Sequence, residues 1–152
     1  MAKTDEGSGL KSNVTLYADR LINKLKAIPG ASAEKGYLAQ HIDNNSITGW
    51  PFFALQPTKE TKSQPTNKTV SAERQFYLLV AVEVGPSQDE DLDDALFDMR
   101  VALFKDNRLL SLGDNPTTGK FTIGEPEFFI PEGYEQTYVA QLPVTISYTD
   151  EL

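Results

Sequence analysis

Between Arg74 and Val84 the chain reads RQFYLLVAVEV. Counting by twos puts Phe76, Leu78, Val80, Val82 and Val84 on one side of a ribbon and Tyr77, Leu79 and Ala81 on the other. A strand that is apolar on both sides needs cover on both sides, which predicts a central place in its sheet. Gly85-Pro86-Ser87 stops it, because proline cannot donate to a ladder and glycine loosens the backbone. The spacing then becomes helical. In DEDLDDALFDMRVALF, residues Leu92, Ala95, Leu96, Met99, Ala102 and Leu103 recur at three and four and line one face. Asp89 is placed to cap this helix, with Glu90, Asp91, Asp93 and Asp94 near the positive end of its dipole.

The same reading extends to the rest of the chain. Residues 1–11 are polar and aperiodic and predict a mobile tail ahead of a single domain over residues 12–152. Ser12 or Asn13 caps a helix in which Val14, Tyr17, Ala18, Leu21, Ile22, Leu25 and Ile28 form one apolar stripe, ended by Pro29-Gly30. Residues 31–49 are ambiguous; Tyr37 to Ile42 fits either a short strand or a helical turn, and Asp43 to Ser46 is a turn signal. Trp50 to Leu55 reads as a strand opening on Pro51. The polar stretch from Gln56 to Glu73 predicts a long loop, either a plain projection or a basic docking arm carrying Lys59, Lys62 and Lys68.

Beyond the second helix, Asp106-Asn107 turns the chain, and Leu109, Leu110 and Leu112 form a short connector. Lys120 to Ile130 and Tyr134 to Thr149 predict two strands joined by the tight turn Pro131-Glu132-Gly133. In the second of these, Tyr138, Ala140, Leu142, Val144, Ile146 and Tyr148 alternate with Gln141, Pro143, Thr145 and Ser147, so one face packs and the other is polar. Pro143 inside the run predicts a sheet edge or a bulge, and an open edge can become a subunit joint.

Charge is unevenly spread. The net charge is -8, yet residues 1–74 hold 10 Lys or Arg against 7 Asp or Glu, and residues 75–152 hold 4 against 15. An acidic balance argues against wrapping nucleic acid, which needs clustered cations to displace counterions from phosphates. It suits self-assembly through opposite patches, or a surface that nucleic acid slides past. There is no cysteine, which removes disulfides and thiolate chemistry. No apolar run has the length of a membrane span, and the amino terminus lacks a signal-peptide core, so the expectation is synthesis in a cytoplasm.

Candidate chemistry fails on its own requirements. Gly113 to Lys120 resembles a phosphate loop, but five residues separate the glycines and Phe121 stands where a magnesium-binding hydroxyl is needed. Asp89, Asp91 and Asp93 have the spacing of a calcium loop, but Asp94 replaces its glycine and Arg100 its bidentate glutamate. His41 is the only histidine, so a histidine zinc cluster is impossible. Glu125 and Glu127 alternate as solvated strand residues do. The glycan sequons at Asn13, Asn44 and Asn67 matter only in a secreted chain. The expectation is a protein without a catalytic site, cofactor or metal.

The ordered set of elements carries a resemblance. An amphipathic first helix, the proline-opened strand Trp50 to Leu55, the strand Arg74 to Val84, the acid-started helix Asp89 to Phe104 and a last strand ending Thr145-Ile146-Ser147-Tyr148 together resemble the lambda-like phage tail terminator family, of the minor tail protein U type. The resemblance spans most of residues 12–152 and is closest over Gln75 to Phe104 and in the Thr-Ile-Ser-Tyr ending. It implies an α+β fold in which a mixed, mainly antiparallel sheet of about four to five strands packs against two main helices.

The resemblance further implies a structural virion protein at the head-proximal end of the tail, assembled in the host cytoplasm. Such a protein forms a hexameric ring that caps the tail tube, stops its polymerisation and presents a surface to head-completion or neck proteins, while genome DNA passes through the lumen without sequence-specific binding. Part of the acidic surplus is then expected to face that lumen. Candidate interface residues are Lys59, Lys62, Lys68, Arg74, Asp89, Asp91, Asp94, Gln141 and Thr145. The competing expectations are a neck or head-tail completion protein and, from another class, a small cytoplasmic ligand-binding domain or enzyme.

Overall fold

The computed structural model describes residues 12–62, 69–105 and 119–151. The expected amino-terminal tail, the connector around Leu109 to Leu112 and most of the Gly113 to Lys120 turn lie outside them. The fold is α+β, with three helices and six strands in a single mixed sheet, one strand more than the upper expectation. The chain runs α1 (Asn13–Lys26), β1 (Ser32–Lys35), α2 (Leu38–Asp43), β2 (Phe52–Lys62), β3 (Thr69–Glu83), α3 (Gln88–Phe104), β4 (Gly119–Ile123), β5 (Glu127–Phe129) and β6 (Thr137–Glu151). The sheet order is β1-β2-β3-β6-β4, with β5 also pairing β6. Only β1 and β2 run parallel.

The doubly apolar run takes the centre of the sheet, as its pattern requires. One face of the sheet presents Phe53, Leu55, Leu78, Val80, Leu142, Val144 and Ile146 to the predicted stripes of α1 and α3, and all of these residues are buried. The other face presents Phe52, Ala54, Leu79, Ala81 and Val139, covered by Leu38 of α2 and by Ile42, Ile47 and Trp50. The ambiguous segment 31–49 thus holds both a short strand and a helix, and the helix and the loop after it roof the second face. Ser12 is the cap of α1, its hydroxyl accepting from the Val14 amide. Ser87 rather than Asp89 occupies the cap position of α3.

Four expectations need correction. The polar stretch from Gln56 to Glu73 is not a long loop: β2 continues to Lys62 and β3 starts at Thr69. Its polarity disguised the strands because most side chains of this part of β2 and β3 are exposed or half-buried, and Ala72 alone among them is buried in the main core. The Lys120 to Ile130 strand is broken into β4 and β5. The β5–β6 connection is also longer than a tight turn, since the last pair is Phe129 with Val139.

The fourth correction concerns Pro143. It lies in β6, which is flanked on both sides and is not an edge. Its carbonyl accepts from the Gly124 amide at 2.8 Å, so its missing N–H also points toward β4 and β5. Residues 124–126 are where that neighbouring strand breaks, and the absent donor falls in the break. Gly124 allows the approach, because a Cβ there would lie 2.6 Å from Pro143 Cγ.

Gly124→Ala should therefore cost roughly 1–3 kcal/mol, the usual range for overpacking. Adding Pro143→Ala should recover most of that loss. Thermal melts of the two single variants and the double variant measure this, and additive losses would show that the contact is not the cause.

Candidate assembly surfaces

Toward the far end of the hairpin, beside the amino terminus of α1, a polar group borders the apolar core. Glu60 and Arg74 face each other across β2 and β3, and Tyr148 is two positions along on β6. One oxygen of Glu60 accepts from Arg74 Nε at 2.8 Å, from Arg74 Nη2 at 2.6 Å and from the Tyr148 hydroxyl at 2.6 Å. Burial, followed by the Glu60 hydrogen bond and charge, pushes the Tyr148 phenol up to about 12. Nearby, Asp150 accepts from the Ser12 hydroxyl at 2.5 Å and from the Asn13 amide at 2.7 Å. A carboxylate from β6 thus sits at the positive end of α1 and ties residue 12 to residue 150.

Between α1, α2 and the hairpin lies an open cleft of about 390 Å³ lined by Val14, Ala18, Tyr37, Leu55, Phe76 and Arg74, among others. Lys35, also on its wall, pairs with Asp19 at 2.6 Å, and Arg74 is held by Glu60. The cleft therefore offers apolar surface and two cations already in ion pairs. His41 is held by its neighbours: its Nε2 donates to the Lys35 carbonyl at 3.0 Å, its Nδ1 lies 3.0 Å from the Ser46 hydroxyl, and its ring meets Phe52 edge-on at 5.4 Å. Among the described residues, no group of His, Asp and Glu is arranged to hold a metal ion.

The candidate interface residues do not form one patch. Lys59 is exposed on β2, Lys62 ends that strand, and Lys68 lies outside the described residues. Arg74 is half-buried in the Glu60 pair. Asp89, Asp91 and Asp94 are exposed on α3, and Tyr138 on β6 lies near Asp89 and Asp93. Burial, followed by these neighbouring carboxylates, raises the Tyr138 phenol. Gln141 and Thr145 lie on the sheet face opposite α1 and α3, one on each side of Pro143.

The sequence reading missed two features. One is the Glu60–Arg74–Tyr148 group, which only strand register assembles. The other is the outward side of α3, where Phe97, Val101 and Phe104 are exposed. Its signal was in the sequence, at spacings of four and three, but the core stripe of the same helix had already explained the periodicity.

The Tyr148 shift has a definite sign. Its folded value lies above the ordinary tyrosine value of 10.0, so the folded state holds the proton more tightly. This contribution to stability is complete below pH 10 and lost as pH rises toward 12. Ultraviolet titration of phenolate should show a tyrosine titrating near pH 12 that disappears in Tyr148→Phe. Removing Arg74 or Glu60 alone should cost about 1–3 kcal/mol, and the pair should show clear coupling in a double-mutant cycle. Comparison of the chain with known protein families and with characterised proteins gives no match.

Proposed function

We propose that the chain is a structural protein of phage tail assembly, a terminator that closes into a hexameric ring on the tail tube, stops its growth and presents the surface that joins the head. One observation carries the reading: the single sheet ends in two unlike edges. At one end is β1, with α1 above it held by the Lys35–Asp19 pair, and α1 carries Arg20, Lys24 and Lys26 against one acid. At the other end are β4 and β5 beside α3, which carries six acids against Arg100. A subunit with different, oppositely charged sides associates head to tail, and such contacts close into a ring where the rotation from copy to copy closes.

The resemblance in element order supports the same reading, since helix, proline-opened strand, central strand, acid-started helix and long last strand meet in one fold. The net charge of -8 fits a lumen that DNA traverses without binding, with the acidic surplus partly facing it. The partners in this reading are further copies of the chain, the tube protein and a head-completion or neck protein. The protein works in the virion.

Tail assembly with the protein omitted tests this. The expected result is overlong tails of variable length, restored to uniform length when the protein is added back. Tails of normal length that fail to join heads would overturn the terminator reading in favour of a neck protein.

A further inference from the structure

α3 turns Leu92, Ala95, Leu96, Met99 and Leu103 into the core and leaves Phe97, Val101 and Phe104 outside, with Phe97 65% exposed. Two contacts fix the direction in which this outer stripe looks. Asp89, near the start of the helix, lies beside Tyr138 of β6, and the Phe104 ring at its end lies 5.7 Å from Phe121 of β4. Asp89, Asp93, Phe97 and Val101 follow one another at spacings of four, so they share one flank. The stripe therefore runs along the open edge of the sheet formed by β4 and β5.

That edge adds to it. Phe128 pairs with Ala140 and so lies on the α3 side of the sheet, and Phe128, Phe129 and Ile130 are all exposed. β5 is only three residues long and lies between Pro126 and Pro131, so it leaves little ladder for another strand to extend. What the edge offers is apolar side chains beside the acids of α3. An apolar centre with a charged rim is the composition of a protein interface.

We propose that this surface is the acceptor side of a head-to-tail contact with a second copy of the chain, whose basic α1 end, with Lys24 and Lys26, supplies the complementary charge. The proposal rests on the ring reading and deepens it by locating the joint. The two surfaces differ in sign and lie at opposite ends of one sheet, so neither can pair with itself. Their contact is heterologous and repeats from copy to copy.

The chain has no cysteine, which makes the joint directly testable. Phe97→Cys and Lys26→Cys proteins would be prepared separately, mixed, and treated with a short bis-maleimide, both in free solution and on tail tubes. The expected result is a dimer band that needs both variants. A Phe97→Ser/Val101→Ser protein should keep the wild-type melting curve while needing at least tenfold higher concentration to assemble. Three results overturn the proposal and leave the ring reading standing: wild-type assembly by the double variant, a Phe97→Cys protein that cross-links efficiently to itself, or assembled mixtures without the mixed dimer. Wild-type protein that stays monomeric both alone and on tubes overturns the joint and the ring together.

Discussion

The structure depends on one ladder. Fifteen residues of β3 pair with β6 without a register shift, from Thr69 opposite Glu151 to Glu83 opposite Thr137. Because side chains alternate along both strands, this register decides at once what lies under the helices and what lies under the 38–50 roof. A slip of one residue would carry Leu78, Val80, Leu142 and Val144 out of the main core. The same ladder aligns Glu60, Arg74 and Tyr148 toward the outer end of the hairpin, and it brings Asp150 to the amino terminus of α1.

The ladder also determines where the sheet can meet another molecule. With β3 and β6 interior, the two ends are the four-residue β1 and the divided β4 and β5. The division centres on Pro143, whose missing donor and close contact with Gly124 prevent one continuous outer strand. A short, broken edge is a poor template for uncontrolled strand addition. It can still present Phe128 beside the outer stripe of α3, and under the proposed function that places a limited side-chain contact where a longer strand would risk aggregation.

Most of the fold was legible in the sequence because its core elements carry strong periods. The stripes of α1 and α3, the central place of β3 and the two-faced character of β6 all follow from spacing. Segments whose neighbours, rather than their own pattern, decide their structure were not legible. The outer halves of β2 and β3 are polar because most of their side chains are exposed or half-buried, and β1 is too short to show a period. Pro143 marked an irregularity correctly, but its position in the sheet depended on where residues 124–126 break the adjacent strand. The surface was less legible still: charge asymmetry was visible, whereas Phe97, Val101 and Phe104 could be separated from the core only once the buried side of α3 was known.

Under the proposed function, this fold works by joining copies of itself through unlike sides. The decisive measurement is electron microscopy of tail tubes incubated with the purified protein. The expected image is a six-fold ring of the 16.8 kDa chain at one end of each tube, with no further growth when tube protein is then supplied. Tubes whose ends stay bare and continue to lengthen in the presence of excess protein would contradict it.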